Sequence, residues 1–246
     1  MAPIRPIALT MGDPAGIGPE IAAKAIAALG SRIPIRFLAE DAAIERAVPG
    51  EPATTDAAAV IRSIEQAVAL VQAGEASAVV TCPIAKKTLT AAGFAFPGHT
   101  EFLAHLTNAP RAVMMLAVEG LRVVPVTIHE PLARVPLHLT QDLIVETARI
   151  AAESLKRDFG FADPRLAMAG LNPHAGEGRT LGHEEFEVIT PAIEQLRAEG
   201  ITVSGPHAAD SMFHAAARAR YDAAICMYHD QALIPIKTID FDGGVN

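Results

Sequence analysis

Cysteine is nearly absent from this sequence. Cys82 and Cys226 are the only two in 246 residues. Each falls inside an apolar, strand-like run, so the sequence offers no disulfide framework, and buried free thiols in a reducing, cytoplasmic setting are expected. Runs of basic residues are missing as well. Lysine and arginine number 20 against 28 acidic residues, a net charge of −8, which argues against a nucleic-acid surface. No segment approaches the length of an apolar membrane span. The N-terminal "MAPIRPIALTMGDP" is interrupted by Pro3, Pro6 and Asp13, so it lacks the apolar centre of a signal peptide. There is no internal repeat and no low-complexity tract.

What is present is a chain that is 50% apolar, enough for one large domain or two modest ones. Short β-prone runs alternate with helical patterns, the signature of an α/β fold with a largely parallel sheet. "PIALTMG" reads as a first strand, "DPAGIGPE" as a loop, and the following segment as a helix with Pro19 in its first turn and Gly30 at its end. Apolar residues at 60, 61, 64, 68 and 71 predict a helix that Gly74 stops, with a strand at "SAVVT". "AVMMLAV", Glu119, Gly120 and "LRVVPVT" predict a hairpin, so the sheet should be mixed. Thr140 is placed to cap a helix reaching Leu155. "RLAMAGL", "ITVS" and "YDAAICMY" read as strands, with one helix over "EEFEVITPAIEQLRAEG". A domain boundary is expected near residue 100, where "GFAFPGHTE" is rich in glycine and proline, giving domains 1–100 and 101–246.

Polar residues gather where the predicted strands end, the place at which open α/β sheets bind ligands. In "TMGDPAGIGPE", Gly12, Gly16 and Gly18 allow close backbone approach to an anion at the next helix. The spacing is not the G-x-G-x-x-G nucleotide fingerprint, and an ordinary strand-to-helix turn explains it equally. His99 and Thr100 stand side by side in "PGHTE", where Thr100 also suits a helix cap. His129, His174 and His229 each follow a predicted strand, His174 beside Asn172 and Glu177 and His229 beside Asp230. If those strands share a sheet, three imidazoles converge on a site that suits zinc or a similar ion. Their separation matches no short zinc motif, and three unrelated hydrogen bonds are the alternative. Lys237, which "ALIPI" read as a short apolar turn would carry from the end of the last strand, is either a solvated lysine or a point charge for a phosphate or carboxylate.

Taken together, "TMGDPAGIGPE", "GHTEFLA", "VMMLA", "GLNPHAGEG", "AADSMF", "MYHDQ", "IPIK" and "FDGGVN" resemble the 4-hydroxythreonine-4-phosphate dehydrogenase family of vitamin B6 biosynthesis. The resemblance implies a two-domain α/β/α fold with mixed sheets, related to isocitrate and isopropylmalate dehydrogenases, with the active site in the interdomain cleft of a homodimer whose partners share ligands. It implies metal ligation by His129, His174 and His229, with zinc foremost and cobalt or magnesium as alternatives. It implies substrate contacts from His99, Thr100, Lys237 and Asn246, with Lys237 and Asp210 in catalytic roles. NAD or NADP would be the cofactor, held without a Rossmann fingerprint, and its binding residues are not identified. The reaction implied is oxidation of the C3 hydroxyl of 4-phosphooxy-L-threonine to a 2-amino-3-oxo acid phosphate that loses CO2, leaving 3-amino-2-oxopropyl phosphate.

Three positions depart from the family pattern: Cys82, Arg179 and Ala232 stand where glycines are usual. Family members also continue through "GLP", "RTS" and "DHGTA" segments beyond Asn246, among them a substrate-binding arginine. The expectation is a fragment or an altered protein. Competing readings are a paralogue acting on a phosphothreonate or an aromatic cis-diol carboxylate, a metal-dependent hydrolase, and a non-catalytic binding protein.

Overall fold

The computed structural model describes residues 4–246, so Pro3 lies outside the described residues. It divides into two compact units, 4–112 and 113–246. The division thus falls beyond the glycine- and proline-rich stretch near residue 100. That stretch leads into a helix belonging to the first unit.

The first unit runs β1 (Ile7–Thr10), α1 (Gly18–Leu29), β2 (Ile35–Leu38), α2 (Asp41–Arg46), α3 (Ala57–Gln72), β3 (Ala78–Val80), α4 (Lys86–Ala91) and α5 (His99–Leu106). Its sheet has the order β2-β1-β3 and is parallel throughout; the mixed sheet expected from the hairpin is that of the second unit. Helix α3 buries Val60, Ile64, Ala67 and Val68, the stripe its 3.6-residue period predicts. One polar residue interrupts that face. Ser63 accepts from Met11 N–H at 3.0 Å and donates to the Leu38 carbonyl at 2.7 Å, so a buried hydroxyl ties α3 to the ends of two strands.

Gly12 and Gly18 serve backbone-to-backbone packing. A Cβ on Gly12, whose φ is +70°, would lie 2.5 Å from the Pro83 carbonyl oxygen, and one on Gly18 would lie 2.5 Å from that of Met11. Cys82, at a position where glycine is usual, fits because these two glycines face it. Its Sγ donates to the Gly18 carbonyl at 3.6 Å. Both cysteines are free and buried, as expected, and burial pushes both thiols above their usual pKa.

The second unit runs β4 (Leu116–Val118), β5 (Leu121–Pro125), α6 (Val135–His138), α7 (Gln141–Phe159), β6 (Leu166–Ala169), α8 (Thr190–Ala198), β7 (Val203–His207), α9 (Ala215–Arg218), β8 (Ala223–Cys226) and α10 (His229–Ile239). The sheet order is β4-β5-β8-β6-β7. The β4-β5 hairpin is antiparallel and every other pairing is parallel. Thr140 caps α7 as expected, its Oγ1 accepting from Leu143 N–H at 3.2 Å, and Gly160 ends the helix at φ +74°.

Strand alternation sends Val124, Leu166, Met168 and Ile225 to the face covered by α7 and α8. Val123, Ala167, Ala169, Ala224 and Cys226 go to the face covered by α10. The small residues on the second face let α10 lie close. Ala232 is one of its contacts and is fully buried. The expected glycine position is therefore an ordinary helical one, where alanine is favoured over glycine.

Two expectations need correction. The segment from His229 to Lys237 is not a strand end followed by a short turn: it is the helix α10, with Pro235 inside it. The helix expected over "EEFEVITPAIEQLRAEG" begins as a single π-type turn, Glu185–Ile189, before α8.

Candidate functional site

Strands β5, β8 and β6 are adjacent and parallel, so the chain leaves all three at the same sheet edge. His129 follows β5, His229 opens α10 after β8, and His174 follows β6. The histidines grouped by sequence thus leave neighbouring strands. The rings of His129 and His229 are 6.0 Å apart between centroids. Nδ1 of His229 lies 2.8 Å from Oδ1 of Asp230, an arrangement that fixes the ring and leaves Nε2 as the nitrogen open to a ligand. His129 (φ +52°) and His174 (φ +54°) are both left-handed, a conformation rare outside glycine and concentrated at functional sites. His174 does not join the other two. Among the described residues, no three His, Cys, Asp or Glu side chains form a group able to hold a metal ion.

The strand ends are locked by polar residues. Thr127 Oγ1 donates to the Met227 carbonyl at 2.8 Å, joining β5 to β8. Gln231 is buried on α10. Its Oε1 accepts from Met227 N–H at 2.6 Å and its Nε2 donates to the Gly170 carbonyl at 2.7 Å, joining β8 to β6.

The loop carrying His174 is held from the other side. From His174 to Arg179 every residue has positive φ, and four of the six are not glycine. Each such residue costs about 1–2 kcal/mol. Asn172, at the start of the loop, donates through its backbone N–H to Glu185 Oε1 at 2.6 Å. Its Nδ2 donates to Glu185 Oε2 at 2.9 Å and to Glu184 Oε2 at 2.7 Å. Hydrogen bonds from its own backbone N–H, and then from the Asn172 amide, hold the Glu184 carboxyl below its usual range. Glu184 immediately precedes the π-type turn and Glu185 opens it, so both carboxylates reach Asn172 from the start of that turn. Arg179, where glycine is usual, takes φ +79° and lays its guanidinium 3.3 Å from the Phe186 ring centroid.

A small pocket of about 100 Å³ beside the histidine pair is lined by Thr127, Glu130, Tyr228, His229 and Asp230. A larger one of about 470 Å³, lined by Ser204, His207, Ser211, His214 and Arg220, contains none of the three histidines. Asp210 is exposed on a short 3₁₀ turn, Ala209–Ser211. Lys237 is exposed in the last turn of α10, with Nζ 5.6 Å from the Phe241 ring centroid. Asn246 borders a mostly apolar groove with Val113, Met115 and Phe159. It follows Val245, whose backbone pairs with Ala117 on the edge strand β4.

In the first unit His99 opens α5 and Thr100 is exposed beside it. The helix cap is Gly98, which corrects the reading of Thr100 as cap. The start of α5 is fixed by a cluster of rings, Phe94, Phe96 and Phe102, with centroids 5.0–5.4 Å apart. The imidazole of His99 is held below its usual pKa by burial and then by the charge of Lys86. Gln231, Glu185 and Lys86 carried no role in the sequence reading. The available signal was a polar residue on an otherwise apolar helix face for Gln231, and none for the other two.

Comparison with known proteins supplies the rest. Residues 19–246 match the family described as pyridoxal phosphate biosynthetic protein PdxA. A 4-hydroxythreonine-4-phosphate dehydrogenase of Paracoccus denitrificans is 49% identical, over 100% of this chain and 86% of its own length. One from Caulobacter vibrioides is 46% identical, over 98% and 85%. Among solved structures, a 4-hydroxythreonine-4-phosphate dehydrogenase from Klebsiella pneumoniae superposes with a TM-score of 0.91 at 34% identity, covering 98% of this chain and 86% of that one. A terephthalate 1,2-cis-dihydrodiol dehydrogenase from Burkholderia xenovorans LB400 gives 0.73 at 31% identity, covering 96% and 83%. A sheet edge with three histidines, a matching fold and close relatives along the whole chain lead to one conclusion: the protein is a dehydrogenase belonging to the PdxA family.

Proposed function

We propose that the protein oxidises the C3 hydroxyl of 4-phosphooxy-L-threonine with NAD or NADP, giving a 2-amino-3-oxo acid phosphate that decarboxylates to 3-amino-2-oxopropyl phosphate. The observation that carries this reading is the set of relatives at 46–49% identity, all named for that substrate. The placement of His129, His174 and His229 at one sheet edge agrees with it. The nicotinamide would accept the hydride.

The chain's own groups supply position and field. Neutral His99 and Thr100 would hydrogen-bond an anionic end of the substrate, Asn246 would add an amide, and Asp210 a carboxylate. Lys237 would stand near the negative charge that develops on the substrate oxygen. A divalent metal, zinc foremost, would lower the pKa of the hydroxyl and polarise the ketone formed from it. Two of its three expected ligands, His129 and His229, are close enough to share an ion. His174 is not in that group. A second copy of the chain contributing an imidazole would complete the set, and a homodimer with shared ligands is part of this proposal. No helix among the described residues is long and apolar enough to cross a membrane, and we place the enzyme in the cytoplasm.

The resemblance to a cis-dihydrodiol dehydrogenase favours one second reading, oxidation of a cis-diol carboxylate. The test is reduction of NAD and NADP, followed by nicotinamide absorbance, with 4-phosphooxy-L-threonine, a phosphothreonate and an aromatic cis-diol carboxylate offered in turn. Turnover of the first substrate is expected. Turnover of the cis-diol alone, or of no phosphorylated compound, would sink the reading.

A further inference from the structure

We propose that Lys86 carries the positive charge that receives the substrate's phosphate at the start of α5, with His99 and Thr100 acting beside it as neutral hydrogen-bonding groups. This rests on the function proposed above and adds a residue to its substrate contacts.

Lys86 breaks a local rule. Helix α4 opens with Lys86 and Lys87, has no acidic residue in its first turn, and receives no side-chain cap. A cation at a helix N-terminus opposes the helix dipole, at about 0.3–1 kcal/mol. A broken rule with no packing return points to function.

The side chain does not simply extend into solvent either. It reaches across to α5: its Nζ lies 3.5 Å, and its Cε 3.6 Å, from where a Cβ on Gly98 would be. The ammonium therefore stands over the residue just before His99. Glu101 Oε2 is 3.5 Å from the same point. Even so, Lys86 forms no ion pair among the described residues, and its charge remains open to a ligand.

His99 complements it. Its Nε2 is buried without a hydrogen-bond partner, and Nδ1 is not among such atoms. A buried lone pair is a lesser loss than a buried unpaired N–H, so the proton belongs on Nδ1. A neutral donor beside a lysine and a hydroxyl matches a phosphate, to which lysine brings a point charge and the other two bring direction.

The test compares Lys86→Met, Lys86→Arg and the control Lys87→Met in the full-length enzyme. The readouts are KM and kcat with 4-phosphooxy-L-threonine, calorimetric binding of inorganic phosphate, and Tm. For Lys86→Met, KM and the phosphate Kd should rise roughly tenfold to a hundredfold, as loss of a charged hydrogen bond implies, with kcat nearly unchanged and Tm not lowered. Lys86→Arg should restore most of the affinity, and Lys87→Met should leave it intact. Unchanged affinity in Lys86→Met, an equal loss in Lys87→Met, or a fall in Tm that accounts for the loss would each overturn the proposal. If the wild-type enzyme does not turn over this substrate, the functional reading fails, and phosphate binding still decides the role of Lys86.

Discussion

Gln231 and Gly170, 61 residues apart in sequence, are joined by a 2.7 Å hydrogen bond from the Gln231 amide to the Gly170 carbonyl. The same side chain accepts from the Met227 backbone at 2.6 Å. One buried amide thus fixes the end of β8, from which His229 departs, against the end of β6, from which the His174 loop departs. Replacing it with leucine keeps the volume and leaves an N–H and a C=O unpaired. Gln231→Leu should destabilise the protein by about 2–5 kcal/mol, read by urea denaturation, and should reduce kcat at temperatures where the variant remains folded. A loss of under about 1 kcal/mol would mean that water replaces both bonds.

The Asn172–Glu185 pair does the same for the loop itself. Glu185 presents two acceptors to the two donors of Asn172, and a glutamine there must turn its own donor toward one of them. Glu185→Gln should weaken the loop by about 1–3 kcal/mol. The expected signs are faster proteolysis or amide exchange at 174–179 with little change at α7. Equal exchange across the whole second unit would show that Glu185 supports the core instead.

Much of the fold was legible because its signals are local. Short continuous apolar runs marked Leu166–Ala169 and Ala223–Cys226, Glu119-Gly120 marked the hairpin, and Thr140 marked the start of α7. Where the chain breaks local rules, the reading failed. Pro235 signals a stop, yet α10 continues through it. The run of positive φ from His174 to Arg179 contains only two glycines, and bonds from outside the loop hold it. The strand-end histidines could be grouped because an α/β fold places ligands there. Gln231, Glu185 and Lys86 could not, because their roles depend on partners that only the folded chain brings close.

Gly12 and Cys82 test whether the substituted position has altered the packing rule around it. A Cβ at Gly12 would meet Pro83 O at 2.5 Å and Cys82 Cβ at 2.7 Å, at a φ of +70°. Gly12→Ala should cost about 3 kcal/mol or more, measured as a fall in denaturation midpoint. Adding Cys82→Gly removes the side-chain overlap and leaves the carbonyl one. The double variant should therefore recover little of the loss. Full recovery would place the constraint in Cys82 alone.

Between about pH 5 and 8, acid sensitivity should come from two histidines. Burial holds His207 below its ordinary value of 6.5, and burial followed by the charge of Lys86 does the same for His99. The folded protein therefore binds fewer protons than the unfolded chain at pH values between the lowered pKa and 6.5. Stability must rise with pH through that window and fall as the solution is acidified through it. His207 also lies 2.9 Å from Ser204 Oγ through Nε2, a contact that a glutamine amide can reproduce without titrating. Denaturation of His207→Gln across about pH 5–8 should show a shallower loss on the acid side than the wild type, with similar stability at the alkaline end. An unchanged slope would mean that the half-buried imidazole of His207 is not what acid attacks.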